Sequence, residues 1–321
     1  VITQAVAGEV PDYLAQLSEQ ARTPLVPLTP QAQQLSDALR GDCHTHSDWS
    51  DGGSSPRVMA LAARDDVGHE WTVLTDHSPR LRVANGLSAE RLAEQLALVA
   101  EINDEVAPFR LLTGIEGDIN PDGTRDQDPA LLAGLDVVVA SVHSDLRMPA
   151  PEMTRRLLTA LENPNVDILG HCTGRLVDGP RAPRPESVFD ADRVFAACAE
   201  RGVAVEVNAR PERLDPPRRL LRRAVETGCL LAVDTDAHAP GQLAACGRCL
   251  PAAGPQDATG GDARLDHRPE HTLARIVVAQ HAVRQGARAE GLQLGHAVSA
   301  AAGDRHGPPM IEHQHGGLAA D

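Results

Sequence analysis

The sequence predicts an α/β protein in which seven parallel strands, each followed by a helix, close into a barrel. Two observations support this prediction. Short β-rich runs alternate with longer amphipathic stretches from residue 41 to about residue 250, and the alternation repeats roughly every thirty residues. Strands that alternate with helices form parallel sheets, and seven such units suit a closed or nearly closed barrel. A doubly wound open sheet is the alternative.

Each predicted strand is a short β-rich run that ends in polar residues. The seven runs cover residues 41–46, 71–77, 111–118, 137–143, 166–171, 203–208 and 230–238. Stretches with a helical period lie between them. The clearest ones predict helices over residues 90–106, 154–161, 191–201 and 218–227. Because Thr is a favoured N-cap residue, we expect Thr154 to cap the second of these helices.

The chain divides into three parts. Residues 1–40 predict a short helical fragment followed by a Pro-rich linker. Residues 41–250 form the predicted barrel domain. Residues 251–321 are rich in Gly, Ala, His and Arg, show a helical period only over residues 272–283, and predict a tail of low order. We expect this tail to be either a disordered appendage or the non-homologous product of a shifted reading frame.

Composition excludes several classes of protein. Hydrophobic residues make up 42% of the 321 residues, which is enough for a sizeable core. No uncharged apolar run reaches the roughly 18 residues that span a bilayer, and no basic leader marks the chain for export, so we expect a soluble cytoplasmic protein without a membrane partner. Six cysteines are few for this length and indicate reduced thiols. The net charge of -15 argues against a broad nucleic-acid footprint.

Residue types that bind metals collect where the predicted strands end. In a barrel of parallel strands the functional edge is the carboxyl edge, because the loops converge there. His44 and His46 are two residues apart, so both side chains point to the same side of a strand, and Asp236 and His238 repeat this spacing. The candidate ligands are His44, His46, Asp51, His77, Glu116, His143, His171, Asp236 and His238. Asp118, Glu206 and Asn208 lie at the same edge.

This set of residues fits a cluster of metal ions better than a single ion. Imidazoles with carboxylates suit zinc, manganese or iron, and the absence of Cys at the strand ends argues against a closed structural zinc site. Nine ligands are too many for one ion. Two or three divalent ions held close together can polarise a phosphoryl oxygen and lower the pKa of a bound water to about 7. The sequence therefore predicts hydrolysis of phosphoesters by a metal-activated hydroxide.

Six short motifs follow one another along the chain. They are His44-Thr-His46, Thr75-Asp76-His77, Gly114-Ile-Glu116, Ser141-Val-His143, Gly170-His171 and Asp236-Ala-His238. A lone His-x-His pair is weak evidence, but the six motifs together resemble the PHP (polymerase and histidinol phosphatase) family. The similarity to the C-terminal PHP domain of bacterial family X DNA polymerases extends from Gly41 to about Leu243.

The resemblance implies a distorted seven-stranded TIM-like barrel with a trinuclear metal site. Carried onto this sequence, the first ion takes His44, His46, Glu116 and Asp236. The second takes Asp51, His77 and His238. The third shares Glu116 and adds His143 and His171. The residues expected to take part in catalysis are Glu116, Asp236 and His238.

Arginines just after the strand ends are candidates for binding a phosphate group. The arginines at this position are Arg80, Arg175 and Arg210. Their guanidinium groups could bind phosphate through bidentate hydrogen bonds. The alternative for each is an arginine on a helix surface. Five further arginines between residues 213 and 223 form a basic run, for which a solvated helix face is the default interpretation.

Three functions agree with these observations to different degrees. The first is a metal-dependent phosphoesterase that acts on a small phosphomonoester, such as a nucleotide or histidinol phosphate. The second is a DNA-repair enzyme that processes DNA 3' ends, as a 3'-5' exonuclease or a 3'-phosphatase. The third is an inactive PHP module that stabilises a partner, which disagrees with the full set of ligands.

Two features of the chain point to different substrates. The first fourteen residues resemble the last helix of a helix-hairpin-helix DNA-binding region, which favours DNA and indicates that the sequence begins within a longer protein. The net charge favours a small substrate. The motifs carry no signal for an oligomeric state.

Overall fold

The computed structural model describes residues 37–179 and 183–244. The helical fragment expected within residues 1–36 and the tail from residue 251 lie outside the described residues. The domain boundaries expected from the sequence therefore stay predictions.

The described residues contain seven strands that are all parallel and pair in chain order. They are β1 (Gly41–Thr45), β2 (Trp71–Leu74), β3 (Arg110–Asp118), β4 (Val137–Ser141), β5 (Ile168–Leu169), β6 (Ala204–Asn208) and β7 (Leu231–Asp234). All seven predicted strands are confirmed, and the pairing in chain order excludes a doubly wound sheet. Most strands end before the predicted end, so several of the polar residues that terminate the predicted runs lie in the loops just beyond.

The sheet closes on itself between β1 and β7. The backbone N–H of His46 donates to the carbonyl of Ala237 at 2.8 Å. Two buried carboxylates bond across the same seam, since Asp234 Oδ1 accepts from the N–H of Cys43 at 2.8 Å and Asp42 accepts from the Thr235 hydroxyl. The result is a nearly closed barrel, as the sequence predicts.

Six α-helices lie among the described residues: α1 (Pro56–Ala62), α2 (Ala89–Val106), α3 (Pro129–Ala133), α4 (Ala150–Leu161), α5 (Ala191–Arg201) and α6 (Arg218–Thr227). The predictions for α2, α5 and α6 are confirmed to within one residue. The short helices α1 and α3 are additions to the prediction. Each begins with a proline that follows a capping side chain, Ser55 for α1 and Asp128 for α3. No helix in the described part of the chain is long and apolar enough to cross a membrane.

Helix α4 begins four residues earlier than predicted, and the assignment of Thr154 as its N-cap is wrong. Thr154 lies inside the helix, where its hydroxyl donates to the carbonyl of Ala150 at 2.7 Å. The same oxygen accepts the N–H of Asp190 at 2.9 Å. Thr154 thus joins α4 to the chain that leads into α5.

A buried apolar cluster fills the barrel beneath its polar edge. It draws residues from every strand, including Cys43, Val73, Leu112, Val139, Ile168, Ala204 and Ala232. A larger cluster packs α4, α5 and α6 against β4 to β7. Because these apolar residues precede the polar ones on their strands, the packed core fixes the strand ends that carry the candidate ligands.

Candidate metal centre

Glu116 on β3 lies at the centre of the polar edge, with both carboxylate oxygens buried. Its Oε1 is 2.9 Å from His171 Nε2 and 3.2 Å from His143 Nε2. Its Oε2 is 2.8 Å from His77 Nδ1. The loops after β2, β4 and β5 therefore deliver one imidazole each to a single carboxylate on β3.

Asp236 is a second carboxylate of the cluster, placed two residues beyond β7. Its Oδ1 lies 3.3 Å from His46 Nε2 and 4.0 Å from His44 Nε2. The same two nitrogens lie 3.6 and 3.5 Å from Glu116 Oε2. His44 near the end of β1 and His46 just beyond it thus face both carboxylates, as the shared direction of the two side chains predicts.

Asp51 forms the third corner, in the loop after β1. Its Oδ1 lies 3.4 Å from His77 Nε2 and 3.4 Å from His238 Nε2. This side of the cluster reaches solvent, because the Asp51 side chain is 37% exposed and that of His238 is 19% exposed. All nine candidate ligands are therefore brought together.

Many buried polar atoms of this cluster lie close together without forming a hydrogen bond of good geometry. They include both oxygens of Glu116, both ring nitrogens of His46 and of His143, and one ring nitrogen each of His44 and His77. Buried polar atoms without partners are costly, and divalent cations bind carboxylate oxygens and imidazole nitrogens. The residues present therefore fit a metal site.

Among the described residues, three groups of ligand atoms lie within 4.8 Å of one another, a spacing that could hold a metal ion. The groups are His44, His46 and Asp236; His46, Asp51, His77 and His238; and His77, Glu116 and His143. They follow the three sets implied by the resemblance with several differences, one of which is that Glu116 joins only the group with His77 and His143. His46 and His77 each serve two groups, and His171 contacts Glu116 without joining a group.

The electrostatics of the cluster depend on the balance between burial and neighbouring charge. Burial raises the pKa of a carboxyl group, but the surrounding imidazoles outweigh it and hold the pKa of Glu116 well below its usual range. Burial lowers the pKa of His77, but Glu116 and Asp51 outweigh it and raise the pKa to about 10. Burial and the charge of His238 place the pKa of His46 well below its usual value.

Asp236 has an unusual backbone conformation. Its φ of 51° lies in the left-handed region, which costs free energy for a residue other than glycine. The side chain is held there by Asn208 Nδ2, which donates to Oδ2 at 3.1 Å, and by Arg213 Nε at 3.2 Å from the same oxygen. Surrounding residues therefore fix the direction of this carboxylate.

Two further carboxylates contact the Nδ1 atoms of candidate ligand histidines. The sequence analysis assigned no role to either carboxylate. Glu206 Oε1 lies 2.6 Å from His44 Nδ1. Asp118 Oδ1 lies 3.4 Å from His143 Nδ1 and accepts the backbone N–H of His143 at 3.2 Å. The acidic residues at the ends of β3 and β6 were the available signal.

Asp76 supports the loop that carries Asp51. Its buried carboxylate accepts the N–H of Ser47 at 2.8 Å, the hydroxyl of Ser47 at 2.6 Å and the side-chain amide of Gln95 at 2.6 Å. The hydroxyl of Ser50 donates to the same carboxylate. Asp76 therefore shapes the turn before Asp51, while its neighbour His77 faces the cluster.

Two of the three arginines predicted to bind phosphate lie beside the cluster with exposed surface. Arg80 Nε is 3.0 Å from Asp118 Oδ2, and its side chain is 38% exposed. Arg210 Nη1 is 3.7 Å from Asp236 Oδ2 and 3.5 Å from His238 Nδ1. Both positions suit a group that meets an anion at the edge of the metal site.

Arg175 is instead engaged by the backbone of the loop after β6. Its Nε donates to the carbonyl of Arg213 at 3.0 Å, and its Nη2 donates to the carbonyl of Leu214. Its Nη1 lies 3.6 Å from Glu186. These contacts favour a role in holding the turn that presents Arg213, which itself lies beside Asp236.

Two arginines of the basic run on α6 are paired with acids. Arg219 bonds to Glu186, and Arg223 bonds to Asp192 through two nitrogens, one at 2.7 Å. This arrangement agrees with the default interpretation of a solvated helix face.

No family model matches the chain. A curated DNA polymerase/3'-5' exonuclease PolX from Bacillus subtilis is 45% identical over 200 residues, which cover 62% of this chain and 34% of the relative. The chain therefore matches only about a third of that protein's length. A probable phosphatase from Caldanaerobacter subterraneus subsp. tengcongensis is 26% identical over 209 residues, covering 61% of this chain and 75% of the relative.

Solved structures of similar fold include a phosphatase. The histidinol phosphate phosphatase of Lactococcus lactis, crystallised with zinc, L-histidinol and phosphate, has a TM-score of 0.50 and 19% sequence identity, and the match covers 67% of this chain and 94% of that one. At this identity the likeness supports the fold alone. The comparisons confirm the resemblance to the PHP family and the TIM-like barrel that the motifs imply.

Proposed function

We propose that this PHP-type domain is a metal-dependent phosphoesterase that hydrolyses phosphomonoesters at a site of two or three divalent ions. The observation that carries the proposal is the surroundings of Glu116, whose two buried oxygens face imidazoles from several strands. Such a concentration of ligand atoms at the carboxyl edge of a barrel is typical of a catalytic metal site.

The nine candidate ligands divide among the ions as the resemblance implies. His44, His46, Glu116 and Asp236 would hold the first ion. Asp51, His77 and His238 would hold the second. Glu116, His143 and His171 would hold the third. Zinc, manganese and iron suit this mixture of imidazole and carboxylate. When bound, such ions supply Lewis acidity and a water molecule of lowered pKa.

Residues of the chain would bind and orient the phosphate group. Arg80 and Arg210 lie on two sides of the cluster and would bind phosphoryl oxygens through charge-assisted hydrogen bonds. Arg213 would assist Arg210, and Arg175 would hold the turn on which Arg213 lies. Because Asp51 and His238 are the exposed ligands, the substrate would approach from their side.

A small phosphomonoester, such as a nucleotide or histidinol phosphate, is the proposed substrate. The curated relatives include probable phosphatases that match across three quarters of their length. The net charge of -15 and the pairing of the α6 arginines with acids also favour a small substrate over a long polyanion.

Processing of DNA 3' ends is the second candidate function. The observation that favours it is the 45% identity to a protein named as a polymerase and 3'-5' exonuclease. An inactive module that stabilises a partner is less well supported, because all nine candidate ligands are present and lie together.

The test is an assay of metal-free protein reloaded with zinc, manganese or iron. The substrates are nucleoside monophosphates, histidinol phosphate, and DNA duplexes with 3'-phosphate or recessed 3' ends. We expect release of inorganic phosphate from the small esters, loss of activity with EDTA, and recovery on adding metal. Action on DNA ends alone would establish the second function. Absence of hydrolysis with every metal and substrate would contradict both catalytic functions.

A further inference from the structure

Glu206 on β6 is a fully buried carboxylate that belongs to none of the three groups of ligand atoms. Its Oε1 lies 2.6 Å from His44 Nδ1. Its Oε2 accepts the backbone N–H of His171, and the side-chain amide of Asn208 lies 3.4 Å from the same oxygen. Both oxygens are therefore already engaged by donors from β1, β6 and the loop after β5.

The contact with His44 determines which ring nitrogen is available to a metal ion. A neutral imidazole carries one proton, and the nitrogen that donates to a carboxylate keeps it. With Nδ1 donating to Glu206, the lone pair of His44 lies on Nε2. That atom lies 3.5 Å from Glu116 and 4.0 Å from Asp236, inside the cluster.

The contact with His171 acts through the backbone. Strand β5 has only two residues, so its ladder gives little support to the loop that follows it. The bond from the His171 N–H to Glu206 fixes the chain at the point where the His171 ring approaches Glu116 Oε1 at 2.9 Å. One carboxylate thus holds the ring of one proposed ligand and the backbone of another.

We propose that Glu206 is a positioning residue that fixes the tautomer of His44 and the placement of His171 for metal binding. This inference rests on the proposed function, since it requires that the cluster binds metal ions. A fully buried carboxylate is costly to maintain, and packing alone would be served by an apolar side chain. Ligand histidines generally donate their second ring nitrogen to such a carboxylate.

The substitution Glu206→Gln tests this role because it keeps the shape and removes one acceptor. If the amide oxygen faces His44, the NH₂ group meets the N–H of His171 and the amide of Asn208. If the oxygen faces His171, the NH₂ group meets His44 and favours the wrong tautomer. Neither orientation satisfies all three donors. The matched control is Glu186→Gln, since Glu186 pairs with Arg175 and Arg219 and contacts no imidazole in the described structure.

The experiment measures zinc affinity by chelator competition and the protonation of ring nitrogens by ¹H–¹⁵N NMR of the zinc-loaded protein. We expect Glu206→Gln to weaken zinc binding by about 10- to 100-fold, the usual effect of losing a carboxylate behind a ligand histidine. Glu186→Gln should bind like the wild type. In the wild type, His44 should carry its proton on Nδ1. Circular dichroism of the metal-free variants separates lost folding from lost binding.

Four outcomes are decisive. Zinc affinity of Glu206→Gln equal to that of the wild type overturns the inference. A wild-type protein in which His44 is protonated on Nε2 overturns it as well, even if the variant does not fold. A wild type that binds no zinc, manganese or iron overturns the proposed function and this inference together, whereas a wild type that binds these ions without hydrolysing phosphoesters overturns the function alone.

Discussion

The two halves of the candidate metal centre differ in how the protein surrounds them. The inner half consists of His44, Glu116 and His171, which are buried and have protein atoms behind them. The outer half consists of Asp51 and His238, whose side chains are 37% and 19% exposed. The inner half is therefore organised before any substrate arrives, whereas the outer half is open to water and to the phosphate group.

This difference separates two tasks that a metal-dependent hydrolase has to perform. Ligands held by a surrounding shell fix the coordination geometry, and exposed ligands leave room for water and substrate. Substitutions in the inner half should therefore remove ions and activity together. Substitutions in the outer half should leave part of both.

The largest effect is expected for Glu116→Gln. Glu116 is the carboxylate shared by the first and the third proposed ions, and its oxygens face imidazoles on both sides. We expect a loss of kcat of about 10³-fold or more, since a metal ion supplies several kcal/mol of catalysis and each 1.4 kcal/mol is tenfold. Bound metal, measured by elemental analysis, should fall in parallel. Retention of all ions would contradict a bridging role.

A smaller effect is expected for Asp51→Asn in the outer half. The amide keeps one oxygen near His77 and His238 and loses the negative charge. We expect kcat to fall by about 30- to 100-fold, which corresponds to roughly 2–3 kcal/mol for a contact to a charged group. The ions of the inner half should remain bound. Equal losses in Asp51→Asn and Glu116→Gln would show that the two halves do not differ.

Next in size is the effect of Arg210→Ala at the edge of the outer half. If Arg210 binds the phosphate group, its loss should raise KM by about tenfold, or about 1.4 kcal/mol, with metal content unchanged. The control is Arg222→Ala, which removes an exposed arginine of α6. An unchanged KM in the Arg210 variant would show that Arg210 does not bind the phosphate group.

The smallest effect on activity is expected at His69, which is buried away from carboxylates. Burial lowers its pKa to about 4, whereas carboxylates raise that of His77 to about 10. The folded-state pKa of His69 lies below its unfolded value of about 6.5. The contribution of His69 to the free energy of unfolding is therefore fully present above pH 6.5 and is lost as the pH falls towards 4. As the pH falls from 6.5 towards 4, the free energy of unfolding of His69→Gln should fall by up to about 3 kcal/mol less than that of the wild type. The substitution should not change kcat.

Urea unfolding of both proteins across this pH range measures the contribution of His69. Because the cluster histidines are present in both proteins, the difference between their free energies of unfolding reports on His69 alone. A difference that is constant with pH would show that His69 is not buried in its neutral form.

The sequence was sufficient for the barrel and for placing the candidate ligands at one edge of it, because both depend on local patterns. Alternation of strand and helix sets the topology, and the spacing of His44 and His46 sets the direction of two side chains. The predicted start of α4 was wrong because the helix begins at Ala150 and includes Pro151 in its first turn. Proline is tolerated in the first turn of a helix, where its missing N–H has no partner to lose.

The residues that support the site were beyond sequence reasoning because their partners are distant along the chain. Glu206 and His44 are 162 residues apart, and the sequence places both at the same edge without indicating that the two side chains contact each other. Arg175 follows a proposed ligand closely enough to suggest phosphate binding. Its guanidinium nevertheless bonds to a carbonyl 38 residues further along the chain. Such pairings become visible only once the barrel is closed.

The central claim is that the carboxyl edge of this barrel holds a cluster of divalent ions. Elemental analysis of protein dialysed against zinc, then freed of loosely bound metal, tests it most directly. The account predicts two or three ions per chain, because one ion cannot satisfy nine ligands that include buried carboxylates and imidazoles. A reproducible value of one ion or none per chain would contradict it.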